Sequence, residues 1–340
     1  MNVYSLLRLF GKVKNRRLRM AGLWLFHVTG RRYLGVFLDP VQACNLRCRM
    51  CYFSGEEIKR NHLPPLDVND LAQMADALFH RAVKVQIGCG AEPTLYPELV
   101  RVVKICKGKG VPYVSLTTNG KLLTSDLLER LVKEGLDELT LSAHGLMRDT
   151  YESLMVRSSY DDFLRVLRDV TLLKQRYPLF KLRVNYTVNE DNWQDLKCFG
   201  KVFAEVPLDI VQVRPIQDIG DSEYRNFSLD AIVEHYDEVF LPLSAYCKEH
   251  GIVCLYPLVD HLKTLSEEAP NEALSVQEFT YCYVYPGCCW REDFRFREED
   301  FEKYCRRKKV GRRIWHSIWT VGGHSSRKEE TTRALNYKIR

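Results

Sequence analysis

Cys44, Cys48 and Cys51 stand within "ACNLRCRMCYF", residues 43–53, at spacings of four and three. Thiolates are soft ligands that suit zinc and iron–sulfur centres. Structural zinc favours C-x2-C pairs and four closed ligands. A cubane 4Fe–4S cluster held entirely by protein also takes four cysteines. Three thiols on one short loop therefore suit a cubane with one iron left open, and an open iron can bind a small molecule. Arg47 and Arg49 would offset part of the negative charge of such a centre. The plain alternative is a core helix. Positions i, i+4 and i+7 share a helical face, and cysteine packs well as a small hydrophobe. Against it, the segment follows a predicted strand, where a loop is expected, and Asn45, Arg47 and Arg49 are polar.

Twelve cysteines are many for a chain of 340 residues. In a reducing compartment, clustered cysteines more often mean metal or catalysis than disulfides. Cys282, Cys288, Cys289 and Cys305 fall within 24 residues and are candidate ligands of an auxiliary cluster, with packing or free thiols as the alternative. Cys288 and Cys289 are adjacent, so an extended chain would send them to opposite sides. Cys247 and Cys254 lie in apolar contexts that favour the core. Cys89 would line a pocket beside Gly90, donate a hydrogen atom there, or be buried as a small hydrophobe.

The elements that position these residues come from hydrophobic periodicity. Six apolar runs read as strands: 33–41, 82–90, 113–120, 138–145, 181–189 and 209–217. Helical periods separate them at 68–80, 97–110, 125–137, 160–177 and 192–206. This alternation predicts parallel strands covered by helices. About 30 residues per unit fits a partial (β/α)6 barrel of the TIM type, with a doubly wound sheet as the competing topology. The barrel is favoured because "GCGAEP", "TTNG", "SAHG", "TVNEDN" and "RPIQ" put small or polar residues at the strand ends, which meet at one face of a barrel. A long helix follows near 229–251, with Pro242 as its expected break, and "IVCLYP" is a candidate seventh strand. The resulting division is a basic N-terminal segment 1–33, a core barrel 34–220 and a Cys-containing C-terminal extension 221–340 with a basic tail.

Residues 1–33 carry a net charge of +8 and residues 303–340 carry +10, so the whole-chain value of +6 leaves −12 for the middle. Basic ends on an acidic body suit an anionic partner or membrane surface; two solvated arms are the bland reading. "SLLRLFGKVKNRRLRM" (5–20) is a candidate interfacial amphipathic helix. "RRLRMAGLWLFHVTG" resembles a signal peptide only weakly, because His27 interrupts it and no cleavage site follows. With no apolar run long enough to span a bilayer, the expected location is cytoplasmic.

Four motifs together carry a resemblance: Cys44-x3-Cys48-x2-Cys51, "GAEPTLYPEL" (90–99), "TTNG" (117–120) and "LSAHG" (141–145), each at the end of a successive predicted strand. In this order they resemble the radical S-adenosylmethionine (radical SAM) superfamily over roughly residues 34–217. The resemblance implies a 4Fe–4S cluster on Cys44, Cys48 and Cys51, with the amino and carboxylate groups of S-adenosylmethionine (SAM) on the fourth iron. One electron would cleave SAM and release a 5′-deoxyadenosyl radical that takes hydrogen from a substrate. The cofactor carries the hard chemistry. "GAEP" corresponds to the family's Gly-Gly-Glu-Pro stretch, so Gly90, Ala91 and Glu92 would hold the methionine end of SAM, although Ala91 departs from the second glycine. Ser142 and Asn185 would reach the ribose hydroxyls or the methionine carboxylate, and Arg214 would pair with that carboxylate or with a substrate anion. Met50 and Tyr52 would pack on adenine, where the family often has an aromatic residue. His144 is either a ligand contact or a structural histidine.

The expected function is therefore reductive SAM cleavage with an external reductant such as flavodoxin or ferredoxin. Peptide or protein modification is the favoured subclass, because the C-terminal cysteines look like a reduced SPASM-type extension, one able to hold a second iron–sulfur cluster. RNA- or lipid-directed chemistry is the alternative raised by the basic ends. A reading from another class is a non-catalytic iron–sulfur or zinc protein that binds nucleic acid through those ends.

Overall fold

The computed structural model describes residues 13, 15–54, 63–217, 222–224, 226–263 and 274–320. Most of the basic segment before Asn15, part of the candidate interfacial helix and the basic tail beyond Thr320 lie outside the described residues.

All six expected strands are present: β1 Leu34–Leu38, β2 Ala82–Ile87, β3 Tyr113–Thr118, β4 Glu138–Ala143, β5 Lys181–Val188 and β6 Ile210–Pro215. β7 Val253–Leu255 extends the sheet beyond β6, as "IVCLYP" suggested. Two further strands, β8 Tyr281–Tyr285 and β9 Cys288–Cys289, sit on the other edge. The order is β7-β6-β5-β4-β3-β2-β1-β8-β9, parallel throughout except for the β8–β9 hairpin. The sheet is an open, partial barrel and does not close on itself.

The helices follow local chemistry. In chain order they are α1 Arg16–Val28, α2 Val68–Leu78, α3 Leu99–Gly108, α4 Ser125–Lys133, α5 Arg148–Leu154 and α6 Tyr160–Arg176. α6 shows why they form where they do. Ser159 caps its N-terminus by accepting from the Asp162 N–H, and Asp161 and Asp162 occupy the positive end of its dipole. Phe163, Val166, Leu167, Val170 and Leu173 then recur at helical spacing and are all buried. Each such side chain contributes about 1.5–3 kcal/mol by leaving water.

Two expected helices differ from the sequence reading. The 192–206 segment is a 3-10 turn at Trp193–Cys198 followed by the single-turn helix α7 Phe199–Val202. The long helix breaks at His235, not at Pro242, giving α8 Asp230–Glu234 and α9 Tyr236–Glu249. His235 stacks flat on Trp193 at 5.0 Å and turns the chain there. Pro242 lies on an exposed face of α9, where water serves the carbonyl its missing N–H leaves unpaired. The last helices are α10 Val259–Lys263, α11 Leu274–Thr280, α12 Phe301–Arg307 and α13 Val310–Trp319. α13 packs on α1, with Trp315 and Trp24 rings 4.8 Å apart. Among the described residues no helix is long and apolar enough to cross a membrane.

The two faces of the sheet differ in kind. Val36, Leu38, Val85, Ile87, Val114, Leu116, Leu139, Leu141, Leu182, Val184, Val211 and Val213 are buried and form the core under the helices. Their strand neighbours point the other way. Register pairs place Gln86 beside Ser115, Ser115 beside Glu138, Thr117 beside Thr140, Thr140 beside Arg183, and Ser142 beside Asn185 and, through it, Gln212. Parallel strands are usually apolar on both faces. Here the face formed by β2 to β6 is largely polar, the inside of the partial barrel.

Candidate functional site

The three cysteines follow β1 on a loop with no regular helix, so the core-helix alternative does not apply to them. Leu46 is buried and anchors the loop. The Arg47 and Arg49 N–H groups donate to the carbonyls of Val156 and Leu154 at 2.9 and 3.0 Å. The Leu46 N–H points to Cys44 Sγ at 3.4 Å, and the Cys51 N–H donates to Cys48 O at 3.0 Å. The two arginines have separate tasks. Arg47 Nη1 donates to the carbonyls of Cys44 and Leu46 at 2.8 and 2.7 Å and keeps its charge beside the thiols. Arg49 pairs with Glu223 at 2.7 Å and with Asp191 at 3.7 Å, so its charge is offset elsewhere.

All three thiols are half-buried. Burial pushes the Cys44 thiol up to about 11, and the charges of Glu92 and Cys51 add to the effect. Cys48 is raised further, again mainly by burial. Free thiols here hold their protons at neutral pH, so a metal that binds them must displace protons. Among the described residues no three His, Cys, Asp or Glu side chains converge as ligands of a single ion would. A cubane puts each thiolate on a different iron, so its ligands stand apart. Soft donors on one loop, with N–H groups aimed at sulfur, suit such a cluster.

The motifs after β2 and β3 meet this loop. Glu92 is buried, and its carboxylate accepts from the Thr94 N–H, Thr94 Oγ1, Thr118 Oγ1 and the Asn119 N–H at 2.6–3.0 Å. It thereby ties "GAEP" to "TTNG": three of these donors reach Oε1 and the Asn119 N–H alone reaches Oε2, which keeps an acceptor position. The Glu92 N–H donates to Ala43 O at 2.9 Å, which fixes "GAEP" to the cysteine loop. Asn119 Nδ2 donates to Asn45 Oδ1 at 2.8 Å and lies 3.9 Å from Cys44 Sγ. Gly88 turns the chain at φ +81°, where a Cβ would stand 2.3 Å from Thr117 O. Gly90 has Tyr52 Oη in the place of a Cβ, at 2.2 Å. Ala91 packs half-buried against the core, as does Met50. Tyr52 begins the 3-10 turn Tyr52–Ser54 and packs on Phe53.

Asp39 was missed by sequence reasoning. It is buried at the end of β1 and accepts from the Cys89 N–H at 2.7 Å, the Gly90 N–H at 3.0 Å and Tyr283 Oη at 2.5 Å. Burial raises its carboxyl, and these donors oppose the rise. The only available signal was a polar residue ending an apolar run in "FLDP".

Ser142 and Asn185 are register partners near the ends of β4 and β5. Arg183 Nε donates to Asn185 Oδ1 at 3.0 Å, and Arg214 Nη2 to Gln212 Oε1 at 2.8 Å. Burial lowers His144 to about 4, so its imidazole is neutral, and its Nδ1 has no partner. Asn45 Nδ2 is likewise buried without a partner. Such orphaned polar atoms are normally satisfied by something bound. The Cys89 thiol points to Gln86 O at 3.6 Å.

The four C-terminal cysteines are spread over two strands and a helix. Cys282 is fully buried in β8, while Cys288 and Cys289 follow on β9, one half-buried and one buried, in keeping with their adjacent positions on an extended strand. Cys305 is buried on α12, among Glu302, Arg81 and Tyr33. Its helix packs on the hairpin's end through Trp290, whose ring lies 5.2 Å from Phe301 and 4.9 Å from Tyr304. Cys247 and Cys254 face each other between α9 and β7.

An open α/β barrel with thiols after its first strand and ligand-facing turns after the next three defines a class of cluster-dependent enzyme folds. Residues 38–197 match the family described as Radical SAM superfamily, so the chain carries a radical SAM domain. It is 30% identical over 191 residues to a protein named probable GTP 3′,8-cyclase from Saccharolobus solfataricus, covering 56% of this chain and 59% of that one. A similarly named protein from Sulfurisphaera tokodaii is 26% identical over the same length. The chain thus spans less than two thirds of these relatives. Among solved structures, Streptococcus suis SuiB bound to S-adenosylmethionine aligns with TM-score 0.59 at 15% identity, covering 77% of this chain and 62% of that one. Native anSMEcpe with bound AdoMet aligns with TM-score 0.52 at 17% identity, covering 69% and 67%. Both show the same fold.

Proposed function

We propose that Cys44, Cys48 and Cys51 hold a 4Fe–4S cluster and that the chain uses it to cleave S-adenosylmethionine reductively. When bound, the cluster and SAM supply one-electron cleavage to a 5′-deoxyadenosyl radical that abstracts hydrogen. The observation that carries the reading is the joint between loops: Glu92 and Asn119 lock "GAEP" and "TTNG" onto the cysteine turn. The chain's own residues then have distinct tasks. Arg47 keeps positive charge near the thiolates. The polypeptide around Gly90 and Ala91 offers the methionine end of SAM a close backbone approach. Ser142, Asn185 and Arg214 face it from β4 to β6, and Met50 and Tyr52 flank the turn that would meet adenine. The Leu46 anchor and the half-buried thiols limit water at the cluster. An electron donor such as flavodoxin or ferredoxin is required by the chemistry.

On substrate, the names of the sequence relatives support a nucleotide-like small molecule. Peptide or protein modification is a second reading. It has the likeness to SuiB bound to precursor peptide SuiA, TM-score 0.58, which is a likeness of fold. The nucleic-acid-binding alternative loses its footing, since it left "GAEP", "TTNG" and "LSAHG" as coincidence. The test is anaerobic reconstitution. The expected result is about four irons per chain and, with reductant, 5′-deoxyadenosine and methionine from SAM. A brown protein that leaves SAM intact under strong reduction overturns the proposal.

A further inference from the structure

The corner built by α1, α12 and α13 holds none of the residues assigned to cluster or SAM. Its inner side is ordinary core: Met20 and Leu23 of α1 and Val310, Ile314 and Ile318 of α13 are buried. Its outer side is apolar as well. Leu18, Leu25, Val28, Trp315 and Trp319 are 46–63% exposed. Leu18 and Leu25 stand two helical turns apart on one stripe, and Val28 follows Leu25 by three residues. The helix therefore shows leucine to water where a surface helix normally shows charge. Trp24, Trp315 and Trp319 carry the row across to α13, with successive ring centroids 4.8 and 6.0 Å apart. Single exposed apolar side chains are normal, but a contiguous row on two packed helices marks a contact surface. Cations border the row. Trp24, Val28 and Trp315 share a cleft of about 690 Å³ with Arg306, Lys309 and Arg312. The carboxylate in that cleft, Glu302, is taken by His80 and Arg81. Among the described residues Arg17, Arg306, Lys309 and Arg312 have no carboxylate partner, whereas their neighbours Arg307, Lys308 and Arg313 each hold one. Both ends of the chain also leave from this corner, since Arg16 Nη1 donates to Thr320 O at 2.8 Å. Residues 1–14 carry three Lys/Arg and no Asp/Glu, and residues 321–340 carry five Lys/Arg against two Glu.

We infer that the α1–α13 face docks on an anionic lipid surface, with Leu18, Leu25, Trp315 and Trp319 seated at the headgroup boundary and Arg17, Lys309 and Arg312 meeting lipid phosphates. A bilayer interface accepts aliphatic side chains, tryptophan and Lys/Arg together. Its negative potential complements the cations of this corner, and the basic ends add to the same attraction. Single-stranded nucleic acid also takes cations and aromatic rings, but it gains little from leucine or valine, so the aliphatic half of the row decides for lipid. The inference does not depend on the cluster chemistry and goes beyond it by placing the chain at a membrane surface.

The test floats the full-length chain with vesicles of mixed phosphatidylglycerol and phosphatidylcholine and, separately, of phosphatidylcholine alone. The expected result is binding to the mixed vesicles, weakened by added salt, and little binding to the neutral ones. Lys309→Glu combined with Arg312→Glu should weaken that binding by more than about 10-fold, since each charge near an anionic surface is worth about fivefold. Leu25→Ser combined with Trp319→Ser should weaken it by about 10-fold through lost apolar insertion. All four side chains lie on the outer side of the corner, and a wild-type midpoint in urea unfolding shows that each double variant is folded. Wild-type vesicle affinity in either double variant overturns the inference, because the basic ends then suffice without the face. Equal binding to both kinds of vesicle, or binding to neither, overturns it as well. So does a clear preference for single-stranded RNA over the anionic vesicles, which would make the face a nucleic-acid surface.

Discussion

Tyr283 Oη donates to Asp39 Oδ2 at 2.5 Å, joining residues 244 positions apart. The same carboxylate receives the N–H groups of Cys89 and Gly90. One hydrogen bond from β8 therefore braces the turn that would meet SAM. Tyr283→Phe removes that donor and leaves a buried carboxylate one partner short. The expected loss is about 1.5–3 kcal/mol of stability, read by denaturant unfolding, together with weaker SAM binding. Unchanged SAM affinity would show that the brace is structural only.

Gly88 and Gly251 form a controlled pair. Both have positive φ, +81° and +68°, but a Cβ at Gly88 meets Thr117 O at 2.3 Å and one at Gly251 meets nothing within 4 Å. Gly251→Ala should cost about 1–2 kcal/mol from backbone strain alone. Gly88→Ala should cost clearly more and lower iron retention, because the main chain beside the "GAEP" turn has to move. Equal midpoints for the two variants in a urea titration would refute this.

Arg47 and Arg49 predict a difference in reduction potential. Arg47→Met removes an uncompensated positive charge beside Cys44, so the cluster should become harder to reduce. Arg49→Met removes a charge that Glu223 and Asp191 already offset, and the potential should hold. A redox titration followed by electron paramagnetic resonance reads both. The reverse order of effects would contradict the assignment.

Lys84 gives the fold a pH signature. Burial lowers its ammonium to about 8; Arg183 and Arg214 push the same way, and Glu138 opposes. A lysine lowered in the folded state disfavours folding below about pH 8, where both states are charged and the native charge is poorly solvated. That penalty is relieved as pH rises toward the unfolded lysine's ordinary value near 10.4. Urea unfolding at pH 7 and at pH 10 should read the effect, and Lys84→Met should abolish the difference.

Cys305→Ala should leave iron content at the wild-type level, whereas Cys44→Ala, Cys48→Ala or Cys51→Ala should each reduce it sharply. Loss of a set of irons on changing Cys305 would make it a ligand of an auxiliary cluster.

Local chemistry was legible where it was local. The strands β1 to β6 announced themselves by apolar runs, and the cysteine loop by its spacing. The polar face was written in the same strands, as Lys84 and Gln86, Glu138, Thr140 and Ser142, Arg183 and Asn185, Gln212 and Arg214. Read one strand at a time it was ordinary alternation, and only the register between strands assembles it. "YCYVY" is a regular strand with tyrosines on one side, but its cysteine invited reading as a ligand segment. Pro242 drew the expected helix break because proline is the usual cause, while the real break falls at His235, which stacks on Trp193, a contact across 42 positions. The Tyr283–Asp39 bond has no local trace at all.

β8 lies next to β1 although most of the chain separates them. A fragment ending after β7 would retain every recognisable motif, yet Asp39 would face open water. Motif content and architectural completeness thus part company in this chain, and the last third must be made before the first can be finished.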